Sequence, residues 1–167
     1  MQCAHCHNDL EKTIGNCQFK HCGLENVWLQ NWEMYVCAEN HTFPYWPNLK
    51  KFIPYVAEQL IVSAHRLDKR ALYFLRKSLH YSLDEMASSL CAAERQVIRW
   101  EGGNEDIPKE YDFRIRSLVM KKFFPPVKQL ALRRALTEAR ENYCEQENKQ
   151  PIYIRREDLM NVKNYEF

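Results

Sequence analysis

The pattern of apolar and polar residues changes along the chain from alternating to helical. Before residue 48, apolar residues alternate with polar ones in "NVWLQNW" and "MYVCA", and this period of two is typical of strands that bury one face. We therefore predict short strands joined by turns in residues 1–47. The following segment, "NLKKFIPYVAEQLIV", has helical spacing, with Pro54 at a position where it would start or kink the helix. We interpret residues 48–67 as a helical linker.

Residues 68–124 are predicted to be helical throughout. Asp68 is a favourable N-cap for "KRALYFLRKSL", and Ser82 with Glu85 forms a capping-box pattern at the next helix. A third helix, "AERQVIRWE", follows after a very short break and ends at two glycines. Three short helices with a tight turn between the second and the third are the pattern of a helix-turn-helix unit.

The C-terminal extension, residues 125–167, is predicted to contain one more amphipathic helix, from about Val127 to Glu147. A strand in "PIYIRR" follows it. The helix carries more apolar residues on one face than a free-standing helix needs. It could serve in dimerisation or pack back onto its own domain, and the sequence does not distinguish the two.

The composition indicates one ordinary domain or two small ones. Of the 167 residues, 46% are hydrophobic and 13% aromatic, which allows real cores and excludes a disordered chain. No run is long enough to span a membrane. The net charge is only +2, but between residues 109 and 156 basic residues outnumber acidic ones two to one. This asymmetry favours a basic surface on the C-terminal part.

Most of the seven cysteines lie in the predicted N-terminal domain. The first apolar run is too short and too interrupted for a secretory signal peptide. We therefore expect a cytoplasmic, reducing location, where closely spaced cysteines indicate a metal before a disulfide. Cys3 and Cys6 form a Cys-x-x-Cys pair, which is half of a tetrahedral site. Cys37 and His41 would complete a Cys3His site for Zn²⁺, and four protein ligands make that zinc structural.

Other interpretations of these cysteines remain open. Cys17 or Cys22 could replace His41 as the fourth ligand, or both could be partly buried free thiols. A redox role for the Cys-x-x-Cys pair is disfavoured because no βαβ pattern surrounds it. The sequence shows no phosphate-binding loop, no nucleophile elbow and no paired carboxylates with a plausible pocket, so we do not expect an enzyme.

The third predicted helix has a polar face suited to DNA. Helical spacing turns Val97 and Trp100 inward, and the outward face then carries Glu94, Arg95, Ile98 and Arg99. Arginine bidentate to guanine is the commonest base-specific contact in the major groove. Alone, two exposed arginines would be interpreted as solvated charge, with Glu94 as a candidate ion-pair partner. Within a helix-turn-helix we favour DNA.

Three stretches in order, "KHCGLENVWLQNWEMYVC", "ALYFLRKSL" and "VIRWEGG", resemble the MqsA/YgiT-type zinc-finger plus helix-turn-helix regulators over about residues 1–120. The resemblance implies a zinc-binding N-terminal domain and a Cro/repressor-like DNA-binding domain that dimerises. It also implies an ion pair of Arg76 with Glu101 that joins the first helix to the end of the third. The family includes antitoxins and related repressors.

The chain departs from this family at four positions. Leu83 stands where a DNA-binding glutamine is usual, and Ala93 replaces a Ser/Thr cap. Cys91 replaces the turn glycine, so a non-glycine residue is expected at positive φ. Asn40 replaces a cysteine. These departures affect part of the DNA contact set, the stability of the third helix and the identity of the fourth metal ligand.

The sequence thus predicts an α+β protein with a small zinc-bound β-rich N-terminal domain, an all-α helix-turn-helix domain and a helical C-terminal extension. The expected function is sequence-specific binding of double-stranded DNA at an inverted repeat, as a homodimeric autorepressor or antitoxin-like regulator. The alternative is an interaction module whose zinc domain binds a protein partner such as a toxin. The candidate DNA-binding residues are Ser82, Glu94, Arg95, Gln96, Arg99 and Asn104.

Overall fold

The computed structural model describes residues 1–147 and 149–162 and shows a mixed α/β protein with an N-terminal antiparallel sheet. The strands are β1 (Leu10–Gln18), β2 (Val27–Cys37), β3 (Thr42–Pro44), β4 (His65–Arg66), β5 (Cys144–Glu147) and β6 (Ile152–Arg155). The helices are α1 (Leu49–Val62), α2 (Lys69–Ser78), α3 (Leu83–Leu90), α4 (Glu94–Gly102), α5 (Lys109–Phe123), α6 (Pro126–Glu141) and α7 (Arg156–Asn161).

Strand β2 is the centre of the main sheet. One edge of β2 pairs antiparallel with β1 along nearly its whole length. The other edge is shared by two strands: β3 pairs antiparallel with Met34–Val36, and β6 pairs parallel with Val27–Gln30. The C-terminal extension therefore completes the sheet that the N-terminal segment begins.

Strand β2 is continuous where the alternation predicted two strands with a turn, and that prediction was wrong. The residues Gln30 and Asn31 face the single residue Asn16 of β1, which makes a β-bulge. Asn31 has φ 50°, and its N–H donates to Asn16 Oδ1 at 3.0 Å. Asparagine tolerates this left-handed backbone, so the bulge absorbs the irregularity and the strand continues.

Helix α1 forms as predicted, and it packs against α2, α5, α6 and α7. Asn48 caps it by accepting a hydrogen bond from the Lys50 N–H. Pro54 lies within the helix and is buried. The buried apolar residues form one continuous cluster that runs from the sheet through α1 and α2–α6 to β6. The division into separate domains stays a prediction.

The short helices α2 and α3 begin at the predicted caps. Asp68 accepts from the Ala71 N–H at 2.7 Å, and Ser82 and Glu85 form the complete capping box. Cys91 ends α3 with φ 54°, which confirms the expected left-handed conformation at this position. Helix α4 ends before Gly103, whose φ is 73°.

The tail differs from its prediction in two respects: α6 is shorter than expected, and the short helix α7 was not predicted. Helix α6 ends at Glu141 instead of about Glu147, because the chain next forms β5, whose parallel partner is β4. That partner is far away in sequence, so periodicity within the tail did not indicate it. The predicted strand in "PIYIRR" is confirmed as β6.

A buried ion pair joins α5 to the α1–α2 connection. Asp112 and Arg116, one turn apart on α5, are both fully buried and hydrogen-bonded to each other. Asp112 also accepts from the Leu67 N–H at 2.8 Å, and Arg116 donates to the carbonyl oxygen of His65 at 2.6 Å. Burial and the Asp112 carboxylate raise the pKa of Tyr143, which contacts Asp112, to about 12. These polar groups satisfy one another, as buried charges must.

Within the described part of the chain, none of the helices combines the length and the apolar character that crossing a membrane requires.

Candidate metal centre and candidate DNA-binding face

The predicted metal ligands come together at one end of the main sheet. Cys3 and Cys6 lie in the turn that precedes β1, Cys37 ends β2, and His41 follows in the turn to β3. The antiparallel pairing of Leu10 with Cys37 brings the two turns side by side. The sheet therefore brings ligands that are more than thirty positions apart in the sequence into one cluster.

Local backbone conformation shapes both turns. The Cys3 N–H donates to the Asn8 carbonyl at 2.8 Å, and the Asn40 N–H donates to the Cys37 carbonyl at 2.9 Å. His7 and Asn40 both have φ 60°. Asparagine is one of the few residues that adopt this left-handed conformation readily. Asn40 therefore closes the second turn where a cysteine was expected, and His41 supplies the ligand.

The spacing of the four ligand atoms suits a tetrahedral metal ion. All four lie within 4.8 Å of one another. The Sγ atoms of Cys6 and Cys37 are 3.5 Å apart, and His41 Nδ1 is 3.6 Å from Cys3 Sγ and 3.3 Å from Cys37 Sγ. Ligands at Zn–S ~2.3 Å and Zn–N ~2.0–2.1 Å in a tetrahedron lie about 3.5–3.8 Å apart. The cluster could hold a metal ion with little movement.

The electrostatics of the thiols also favour a cation. Burial opposes ionisation of Cys3, but the backbone N–H groups of Cys6 and His5 and the neighbouring thiols lower the pKa of Cys3 to about 6. The Asn8 N–H favours the Cys6 thiolate, yet burial and the Cys37 and Cys3 thiols raise the pKa of Cys6 to about 11. Adjacent thiolates repel each other, so full ionisation of this cluster requires a bound cation.

The alternative ligands do not join this cluster. Cys17 and Cys22 pack against the apolar core, and the Cys22 thiol donates to the Phe19 carbonyl at 3.2 Å. Burial raises the pKa of both thiols. His5 lies beside the site instead of in it, with its ring stacked on Phe43 at 5.8 Å.

The sequence-predicted face of α4 is exposed. Val97 and Trp100 are buried, as the spacing indicated. The outward positions hold Glu94, Arg95, Ile98 and Arg99. Arg95 makes no hydrogen bond or ion pair with the residues that the structure describes. Its guanidinium is thus available to a ligand.

Unlike Arg95, four of the other predicted DNA-binding residues have partners within the protein: Ser82, Gln96, Arg99 and Asn104. The Gln96 side chain accepts from the Ala93 N–H at 2.9 Å, which supplies the cap that Ala93 itself lacks. Arg99 pairs with Glu105 at 2.7 Å. The sequence analysis did not predict Glu105 as a partner. Its position six residues after Arg99, just beyond the end of the predicted helix, could have indicated the pair. Ser82 accepts from the Glu85 N–H at 3.1 Å, and the Asn104 N–H caps the Arg99 carbonyl at 2.9 Å.

The ion pair that the resemblance implied is present. Arg76 Nε and Nη2 donate to the two Glu101 carboxylate oxygens at 2.6 and 2.8 Å. Arg76 Nη1 also donates to the Tyr81 carbonyl at 2.9 Å. Hydrogen bonding to Glu101 raises the pKa of Arg76 further. This bidentate pair joins α2 to the end of α4.

Comparison of the chain with protein-family models, with curated proteins and with solved structures gives no match. The candidate sites therefore rest on the residues and their geometry.

Proposed function

We propose that this chain is a zinc-stabilised regulator that binds double-stranded DNA in a sequence-specific manner, as a homodimer on an inverted repeat. The observation that carries the proposal is the arrangement of α3 and α4. A short turn with left-handed Cys91 connects them, and α4 buries Val97 and Trp100 while it exposes Arg95 and Arg99. This is the arrangement expected of a helix-turn-helix with α4 as recognition helix.

The metal in this proposal is Zn²⁺. Three cysteine sulfurs and one imidazole nitrogen form a soft, four-ligand set of the kind that structural zinc sites use. The cluster holds together the turn that precedes β1 and the β2–β3 turn, which bury few large apolar side chains of their own. Zinc would therefore contribute to folding of this end of the sheet.

The second candidate is a protein-interaction module centred on the zinc-bound end of the sheet. It is supported by β1, a nine-residue strand that has β2 as its partner on one edge and no partner on the other edge within the described residues. Unpaired edges of this kind can take up a strand from another chain. Leu83 favours the same alternative, because it packs against the core at the position where a DNA-binding glutamine was expected.

The two candidates are separated by measuring DNA binding of three variants at fixed salt. A gel-shift against the DNA upstream of the coding sequence identifies the site, and the expected half-sites lie about one helical turn, ~34 Å, apart. Arg95→Ala and Arg99→Ala should each weaken specific binding by ~1–3 kcal/mol and relax preference at one position. Arg133→Ala, an exposed arginine on α6, is the matched control.

Asn104→Ala tests a different role on the same DNA. Loss of a phosphate contact should weaken binding to all sequences alike, without a change in base preference. If Arg95→Ala and Arg99→Ala both retain the wild-type preference for the cognate site over random DNA, α4 does not read the sequence. The interaction module would then replace the regulator as the best account.

A further inference from the structure

A cleft of about 240 Å³ opens on the side of the main sheet that faces α1 and α7. We call it the aromatic cleft because Tyr45 and Trp46 are exposed on one wall. Met160 is exposed on the other wall, and Trp32 and Leu159 are buried deeper in the cleft. Its residues come from β2, the segment after β3, the start of α1, and α7. The cleft shares no residue with α4 or with the metal cluster, so its role is separate from both.

The walls of the aromatic cleft are exposed and yet held in place. Trp46 is 57% exposed, but its ring packs edge-to-face on Phe19 at 5.6 Å and beside His21 at 5.1 Å. The Trp32 indole N–H donates to the Tyr45 carbonyl at 2.6 Å, which fixes the segment between β3 and α1. Large aromatic side chains that stay ordered while exposed to solvent are typical of protein-binding surfaces.

Helix α7 closes the opposite wall. Leu159 is buried, whereas Met160 on the same helix is largely exposed at the cleft. Arg156 anchors the start of α7 to β2 through the Glu33 carboxylate at 2.6 Å. Methionine is flexible and polarisable, so it adapts to the shape of an incoming side chain.

The rim of the aromatic cleft is positively charged. Among the described residues, Glu33 is the one acidic residue that lines it, and hydrogen bonds from Arg156 and then Lys12 hold the pKa of Glu33 below its usual value. Lys51 also lines the cleft and has no ion-pair partner among the described residues. The first turn of α1, which carries Lys51, contains no acidic residue. The cleft therefore has cationic charge to offer an anionic ligand.

We propose that the aromatic cleft binds an acidic segment of a partner protein, with one large apolar side chain inserted between Tyr45, Trp46 and Met160. The cleft is smaller than the roughly 300–1,000 Å³ of pockets that enclose drug-sized ligands, and its walls are open to solvent. Both features suit a single anchor side chain whose flanking residues lie across the rim. Acidic flanking residues would pair with Lys51, whereas Arg156 already pairs with Glu33.

The test uses the full chain and a short fluorescein-labelled peptide that has one central phenylalanine flanked by glutamates. Fluorescence anisotropy should show saturable binding. A peptide with alanine in place of the phenylalanine, and a peptide with lysines in place of the glutamates, should each bind at least tenfold more weakly, because anchor side chains dominate such contacts and like charges repel.

Variants of the protein locate the binding. Trp46→Ala and Lys51→Glu should each reduce affinity tenfold or more, and Tyr73→Ala, an exposed aromatic residue on α2, should leave it unchanged. Met160→Ala gives an independent wall variant in case Trp46→Ala unfolds the sheet, and thermal unfolding of each variant checks the fold. No saturable binding up to about 1 mM peptide, or equal binding by all variants, would overturn the proposal. So would loss of a dimer on Trp46→Ala, because a second copy would then occupy the cleft.

Discussion

The ion pair of Arg76 with Glu101 links α2 to the end of α4. The substitution Glu101→Gln would remove the negative charge of this pair. The two side chains are only 9% and 10% exposed. Breaking a buried pair by removing one partner costs ~3–5 kcal/mol, because the other charge stays buried without compensation. Glutamine can still accept one hydrogen bond, and Arg76 keeps its bond to the Tyr81 carbonyl. We therefore expect a loss near the lower limit, about 3 kcal/mol.

The assay is thermal or urea unfolding beside a matched control. In a chain of this size, 3 kcal/mol corresponds to a midpoint lower by roughly 6–12 °C. The control is Glu105→Gln, which breaks the pair with Arg99, whose side chains are 54% and 45% exposed. An exposed pair contributes ~0–1 kcal/mol, so this variant should unfold almost as the wild type does. Equal midpoints for the two variants would refute the reasoning from burial.

Four further predictions concern the metal, a strained turn and the tail. Purified protein should contain one zinc per chain, and chelation or Cys3→Ser should lower the unfolding midpoint; metal analysis without zinc would contradict this. Zinc should also be released as the pH falls, because protons compete with zinc for the thiolates. The pKa of Cys6 in the metal-free site is raised to about 11, so this thiolate binds a proton readily. Cys91→Gly should stabilise the chain by about 0.5–1 kcal/mol relative to Cys91→Ser, since only glycine adopts the φ of 54° without strain; a less stable glycine variant would exclude strain at this turn. If the exposed side of α6 serves in dimerisation, Leu130→Arg should shift sedimentation from dimer to monomer, and an unaltered dimer would place the interface elsewhere.

Local chemistry made some parts of this structure predictable. The metal cluster could be predicted because cysteine and histidine at short spacing leave few alternatives, and the Asp68 and Ser82 caps could be predicted because capping depends on neighbouring residues. The left-handed Cys91 followed from the resemblance to a turn that usually contains glycine.

Other parts depend on partners that are distant in sequence. The Asp112–Arg116 pair could be noticed as a charge pair one turn apart on a helix, but its burial depends on the Ser63 and His65 carbonyl groups of the α1–α2 connection. Pairing of β6 with β2 joins segments at opposite ends of the described chain. The aromatic cleft likewise combines residues of the sheet with α7. A single sequence without an alignment contains no local signal for such contacts.

Strand β6, which pairs with β2, is synthesised long after β2, and this order has a consequence for folding on the ribosome. Asn26 and Gln150, which are hydrogen-bonded next to the β2–β6 pair, are 124 positions apart. The metal ligands, β1 and β2 emerge early and could bind zinc while translation continues. The edge of β2 at Val27–Gln30 must wait for β6, and during this interval it is an open edge that can pair with other nascent chains. We therefore expect chains that stall before β6 to aggregate through this edge even when their zinc site is already formed.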